Sequence, residues 1–201
     1  RLILRIAPAV AQAAADSGVA ARPILDMEAY RQQLSRFVYQ TGMFMRPVFS
    51  AAKTVLPAAK RVAYAEAEDE RVLRAAQVAV DEGLAHPILI GRPAVIEARL
   101  AKAGLRLQLG RDADCVNPED DPRFRQYWEL YHTLMGRHGV TQEAAKAAVR
   151  RSNTTIAALA VKLGHADAML CGMVGRYDVH LQHVRDIIGL RADAPGLAAM
   201  N

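Results

Sequence analysis

An α/β fold, with a largely parallel sheet flanked by helices and preceded by a helical segment, follows from three features of the sequence. Short apolar runs recur after residue 60, at 61–65, 87–91, 105–109 and 168–174. Stretches with a helical period separate them, each about a dozen residues long in the first units. Strands spaced by such helices make right-handed βαβ units. The first sixty residues contain no alternating segment and read as helix and linker.

The elements follow in order. Residues 2–16 form an alanine-rich helix stopped by Asp16-Ser17-Gly18, and Glu28 to Val38 a second, with Tyr30, Leu34, Phe37 and Val38 on one side. Met45 to Val55 is a third helix, weakened by Pro47. Arg61 to Ala65 suits a strand buried on both faces. Asp69 to Glu82 places Val72, Ala75, Ala76, Ala79 and Val80 on one helical face, and Gly83 ends it. Pro87 to Gly91 is the next strand. Pro93 to Ala103 is a helix with proline in its first turn and Gly104 past its end. Leu105-Arg106-Leu107-Gln108-Leu109 alternates and reads as a third strand. Asn117 to Pro122 is a loop. Helices follow at Phe124 to Gly136, at Gln142 to Arg150 behind a Thr141 cap, and at about Thr155 to Leu163. Ala168 to Val174 reads as a central strand, leading through Gly175-Arg176-Tyr177-Asp178 into a last helix that ends near Gly189.

Composition excludes several classes. Lys and Arg number 26 against 21 Asp and Glu, a net charge of +5 over 201 residues. The basic residues are dispersed and only 5% of residues are aromatic, so no nucleic-acid partner is expected. No run reaches the roughly 18 apolar residues of a membrane span. The start, with two early arginines and Pro8, does not read as a signal peptide. Cys115 and Cys171 stand far apart with no C-x-x-C pairing, which suits a reducing, cytoplasmic setting. The chain opens on Arg1 rather than Met, which suggests part of a longer protein.

The chemistry-bearing candidates are few. There is no G-x-G-x-x-G and no phosphate-binding G-x-x-x-x-G-K motif. Glu66 to Glu70, an acidic loop at a helix start, either complements the helix dipole or orders an arginine such as Arg71 or Arg74. The better anion candidate is the last strand-to-helix loop. Gly172 and Gly175 allow close backbone approach, Arg176 offers a planar fork of donors, and the helix start aims N–H groups at the same place. Tyr177 and His180 are the neighbours best able to hydrogen-bond there. The alternative is a structural turn with an exposed arginine. His180 and His183, three apart, read as surface or interface histidines, since a metal site needs further ligands. Cys171, inside an apolar run, reads as an inert buried thiol. Tyr127, Trp128 and Tyr131 read as core or a subunit contact, and Arg150-Arg151 as a solvated helix end.

These segments carry a family likeness. Tyr64 to Leu73 resembles the "EGEDERVL" opening of the phosphotransacetylase (phosphate acetyl/butyryltransferase) domain. Val161 to Gly172 is similar to that family's "KLGxADGxVAG" segment, and Ile187-Ile188-Gly189 to its "IIG". Beyond that domain, Arg5 to Ala14, Pro87 to Leu100, Asn117 to Arg123 and Gly175 to Arg191 resemble the large bacterial NADP-dependent malic enzymes that carry a fused phosphotransacetylase-like domain. The resemblance implies three parts: residues 1–35 as the end of a malic enzyme catalytic region, 36–60 as a helical linker, and 61–201 as the N-terminal part of the appended domain. It implies a parent protein that oxidatively decarboxylates malate to pyruvate with NADP and Mg or Mn. The appended domain would respond to acetyl-CoA and contribute to a homo-oligomer. Three positions depart from the phosphotransacetylase pattern: Ala67 replaces a glycine, Arg176-Tyr177 a Ser-Thr pair, and Gln182 an arginine. By the same resemblance, the groups that perform acyl transfer, and the malic enzyme's own reactive groups, fall outside residues 1–201. A regulatory module is therefore the leading expectation, and a phosphate acetyltransferase the alternative.

Overall fold

The computed structural model describes residues 3–38, 45, 47–52, 60–194 and 196–197. The chain divides into two compact units, Arg1–Leu56 and Pro57–Asn201.

In the first unit, α1 (Ile3–Asp16) packs on α2 (Met27–Val38). Pro8 lies inside α1, buried. Ser17 closes α1 by donating its hydroxyl to the Ala13 carbonyl at 2.8 Å, and Gly18 follows at φ 74°. Asp26 opens α2 by accepting the Ala29 N–H at 2.9 Å. The expected third helix is described only in part; residues 45 and 47–52 are helical and the remainder lies outside the described residues.

The second unit is built as β1 (Arg61–Tyr64), α3 (Glu70–Asp81), β2 (His86–Ile90), α4 (Pro93–Lys102), β3 (Asp114–Val116), α5 (Phe124–Met135), a 3-10 turn at Gly136–His138, α6 (Gln142–Arg151), α7 (Asn153–Lys162), β4 (Ala168–Leu170) and α8 (Tyr177–Ile187). The four strands form one parallel sheet in the order β3-β2-β1-β4. Tyr64 lies opposite Leu89 on one side and Leu170 on the other.

Side chains alternate across the strands. Tyr64 and Leu89 face one core, with Val72, Leu73 and Ala76 of α3, Ile96 and Leu100 of α4, and Leu107. Ala63, Ala65, Ile88, Ile90 and Val116 face the other, with Tyr127 and Tyr131 of α5, Val149 of α6, Ile156 to Ala160 of α7 and Ile187 of α8. The small Ala63 and Ala65 leave room for α7 to lie close over the sheet. Thr154 to Ala160 are all buried, so α7 is enclosed on every side by strands and by α5, α6 and α8. A helix in that position needs no polar face, which explains its run of alanine, isoleucine and leucine.

Local chemistry fixes the helix ends. Asp69 caps α3 by accepting the Arg71 N–H at 2.8 Å. Thr141 caps α6 through the Ala144 N–H at 3.2 Å, and Ser152 caps α7 through the Thr155 N–H at 3.1 Å.

Two expectations about strands are corrected. The third strand is Asp114–Val116, not 105–109. Alternation buries Leu107 as a strand would, but side chains take the backbone donors of this segment. The Arg106 N–H goes to Gln77 Oε1 at 2.8 Å and the Gln108 N–H to Asp112 Oδ2 at 2.9 Å, which leaves them outside any ladder. The strand expected at the centre, 168–174, is only three residues long and lies at the sheet edge beside β1.

Tyr127 and Tyr131 are buried in the core as expected, and Trp128 packs against it with the Lys146 ammonium 4.9 Å from its ring centroid. The Arg150 guanidinium rests over the Phe124 ring at 4.7 Å.

Candidate functional site

Strands β2 and β4 flank β1 on opposite sides, so the chain order reverses at β1. In open α/β sheets, ligands collect at the strand C-terminal ends beside such a reversal. The loops here are 65–69, after β1, and 171–176, after β4.

The acidic loop after β1 is tied down residue by residue. Asp69 holds the Arg71 guanidinium in a two-pronged pair at 3.0 and 2.9 Å, and these bonds bring its carboxyl to about 2. Glu70 pairs with Arg74 at 2.7 Å. Glu68 reaches across to Arg92, accepting from its guanidinium and its backbone N–H, which lowers the Glu68 carboxyl below the usual range. Both readings of this loop therefore hold: Asp69 caps α3, and the acids order Arg71 and Arg74. Ala67 is fully buried against α3.

Glu66 behaves differently. Its side chain crosses to the other loop, where Oε1 accepts the Gly172 N–H at 3.0 Å. The same oxygen lies 3.6 Å from His180 Nδ1, and both side chains are largely withdrawn from water, at 14% and 15% exposure.

The expected site residues are placed as follows. Gly172 has φ 95° and Gly175 φ 102°, conformations that favour glycine. A methyl group at Gly175 would meet His180 Nε2 at 3.0 Å. Arg176 occupies the cap position of α8 with no side-chain cap bond; its guanidinium is forked onto Asp178 at 3.0 and 2.6 Å and points into solvent. Tyr177 is 68% exposed. His180 Nε2 faces the Val174 carbonyl at 2.7 Å and its Nδ1 the Thr154 hydroxyl at 2.8 Å. A carbonyl only accepts, so Nε2 donates to Val174. The structure thus brings Gly172, Gly175 and His180 together. Arg176 and Tyr177 lie at the solvent side of the same loop.

The two histidines are not surface groups, which corrects that expectation. His180 is mostly buried, and His183 is part-buried against the fully buried Thr155 at 3.3 Å. Burial lowers the His183 pKa, opposed by Asp186 and reinforced by His180. Adjacent threonines on α7 thus meet histidines one turn apart on α8. Cys171 is also corrected: it is exposed, because β4 is an edge strand rather than a central one. Partial desolvation and the Glu66 charge still raise its thiol pKa.

Sequence reasoning missed Glu66, Thr154 and Thr155 as partners in this cluster. The signal for Glu66 was its position, two residues past the end of the strand at which chain order reverses.

Among the described residues, no three His, Cys, Asp or Glu side chains converge as a metal site. The sequence has no dinucleotide fingerprint. Among the described residues, no helix is long and apolar enough to cross a membrane.

Comparison with known proteins adds the family. The phosphate acetyl/butaryl transferase family model matches residues 43–200. The chain belongs to that family. This phosphate acetyl/butaryl transferase segment overlays a phosphotransacetylase from Streptococcus pyogenes with a TM-score of 0.62 at 27% identity, covering 71% of this chain and 42% of that one. Along all 201 residues it is 57% identical to an NAD-dependent malic enzyme of Rhizobium meliloti (strain 1021). It is 51% identical over the same length to an NADP-dependent malic enzyme of Escherichia coli (strain K12). The match falls in the C-terminal region of these malic enzymes. The chain spans 26% of the length of each.

Proposed function

We propose that this segment is a regulatory and assembly module of a malic enzyme that oxidatively decarboxylates malate to pyruvate, and that it binds acetyl-CoA or a related CoA ester at the loop 171–176. The observation that carries the reading is the coincidence of two matches. The whole chain aligns with malic enzymes, while residues 43–200 carry a phosphate acetyl/butaryl transferase domain. The coenzyme of the parent is NAD or NADP, since relatives of both kinds align along the whole chain.

The ligand-facing groups in this reading are Gly172, Gly175, Arg176, Tyr177 and His180. Two glycine-permitted turns let an anionic ligand approach the backbone, and the start of α8 supplies N–H groups. Binding works by population shift: a ligand that prefers one arrangement of the 171–176 loop and α8 biases the packing of the module, and so the activity elsewhere in the protein. The protein is a homo-oligomer in the cytoplasm, in which this module contributes to the contacts between subunits.

The test uses the full-length protein. Acetyl-CoA at millimolar concentration is expected to raise its melting temperature and to change its rate of malate oxidation. If both stay unchanged, the regulatory reading is wrong. The family match favours a second reading, phosphate acetyltransferase, in which an acetyl group passes between CoA sulfur and phosphate. Formation of acetyl phosphate from acetyl-CoA and phosphate by the full-length protein would establish it in place of the purely regulatory one.

A further inference from the structure

We propose that Glu66 is an internal competitor for the anionic ligand of the 171–176 loop: its carboxylate occupies the donors that the ligand needs, and binding requires it to leave. This rests on the reading of that loop as ligand-facing.

The geometry has three parts. First, the Gly172 N–H, the first backbone donor of the glycine-flanked loop, is already spent on Glu66 Oε1 at 3.0 Å. The carboxylate thus sits where an incoming anion would bind. Second, the same oxygen lies 3.6 Å from the imidazole of His180, the other polar group facing the loop. That imidazole in turn fixes the loop through Val174 and rests on Thr154. Third, the guanidinium of the loop is self-paired, Arg176 on Asp178. Anion-binding groups at this end of the sheet are therefore matched by carboxylates of the chain itself.

Glu66 is also weakly held for a charge so withdrawn from water. An ionised carboxylate can accept about four hydrogen bonds, and the structure gives this one a single donor, Gly172. Its neighbours Glu68, Asp69 and Glu70 each hold an arginine, whereas Glu66 holds none. A desolvated carboxylate with one donor regains hydration when it turns out to solvent. That hydration offsets part of the cost of giving up the Gly172 bond, so a ligand anion can displace the carboxylate at the expense of some affinity. The exchange makes loop position depend on occupancy: with Glu66 in place the 65–69 and 171–176 loops are joined, and with ligand in place they separate.

The experiment measures acetyl-CoA and inorganic phosphate binding, separately, to the full-length protein by calorimetry. Wild type is compared with Glu66→Gln, which keeps the acceptor oxygen for Gly172 but removes the charge, and with Glu70→Gln, which removes the same charge on α3. Glu66→Gln is expected to bind acetyl-CoA on the order of tenfold more tightly, the factor one charged hydrogen bond supplies. Glu70→Gln should stay within about twofold, as expected of a screened surface charge. Gain for phosphate as well as acetyl-CoA assigns the competed site to a phosphate group; gain for acetyl-CoA alone assigns it to another part of the CoA ester. Equal or weaker binding by Glu66→Gln, or equal gain in both variants, overturns the competition while leaving the ligand site standing. No binding by any form removes the ligand site and the competition together. A damaged fold would weaken binding, so a gain cannot arise from misfolding.

Discussion

Asp167 and Arg61 exchange hydrogen bonds in both directions: the Asp167 N–H donates to the Arg61 carbonyl, and the Asp167 carboxylate accepts the Arg61 N–H, each at 2.8 Å. The pair starts the β1–β4 ladder one residue ahead of Val62 and Ala168. Its carboxylate is held below the usual range, first by that backbone N–H and then by Lys60 and Arg61. Asp167→Ala is expected to lower the melting temperature and to speed hydrogen exchange at Ala65, whose N–H donates to Leu170 at the far end of the same ladder. Unchanged exchange at Ala65 would show that the exchange of bonds at Asp167 does not hold the strand.

Acid should weaken the fold. Glu68, Asp69, Asp112, Asp121 and Asp167 all have lowered carboxyl pKa values in the folded state. A lowered folded-state value stabilises the protein above the unfolded value and ceases to do so as pH falls through the folded one. Melting temperature is expected to begin falling below about pH 6.5, where His165 and His183, whose pKa values are lowered in the fold, gain protons more readily when unfolded, and to fall further between about pH 4 and pH 2 as the carboxylates protonate. Asp69, at about 2, should be the last of these to lose its contribution. Most of these groups are solvent-screened, so added salt should shrink the effect. A melting temperature constant down to about pH 2 would contradict the pairing.

The two loop glycines should differ when replaced by alanine. Both have positive φ, but a methyl group at Gly172 meets open space, whereas at Gly175 it meets His180 Nε2 at 3.0 Å. Each substitution costs roughly 1 kcal/mol or more in backbone strain. Gly175→Ala should cost more than Gly172→Ala and alter the His180 ring signal in NMR spectra. Equal losses with an unmoved ring signal would refute the contact.

Leu73 of α3 is fully buried in the core shared with Leu89 and Ile96. Leu73→Ala removes methyl groups and leaves a cavity, with an expected loss of about 2–5 kcal/mol in denaturant unfolding of the full-length protein. A loss below about 1 kcal/mol would mean that the helix collapses to fill the space.

Much of the architecture was legible because periodicity and punctuation agreed. The run from Arg61 to Gly83 and on to Gly91 has strand, cap, helical face and glycine stop in sequence, and the βαβ unit followed. Thr141 was readable as a cap from its type alone. The third strand was not: Leu105, Leu107 and Leu109 alternate, but the decision lay with Gln77 and Asp112, side chains that take their backbone donors. The place of 168–174 in the sheet was also hidden, since an apolar run carries no label for centre or edge. From that one error followed the misplaced Cys171. In the candidate site, glycine spacing and His180 pointed to the 171–176 loop, and the structure brings Gly172, Gly175 and His180 together there. The bonds from Glu66 and from Thr154 span 106 and 26 residues, a separation at which local patterns are silent.

The enclosure of α7 has a consequence for how any signal leaves this loop. Its first turn grips His180 and His183, and the stretch from Ile156 to Ala160 is wedged among three strands and three helices with every side chain buried. A tightly filled spindle of this kind has no slack to absorb a tug at one end. Under the proposed regulation, movement at the imidazoles would be passed on as displacement of whole elements, and swapping Ala158 for a bulkier residue is expected to weaken the acetyl-CoA response of the full-length protein before it melts the fold.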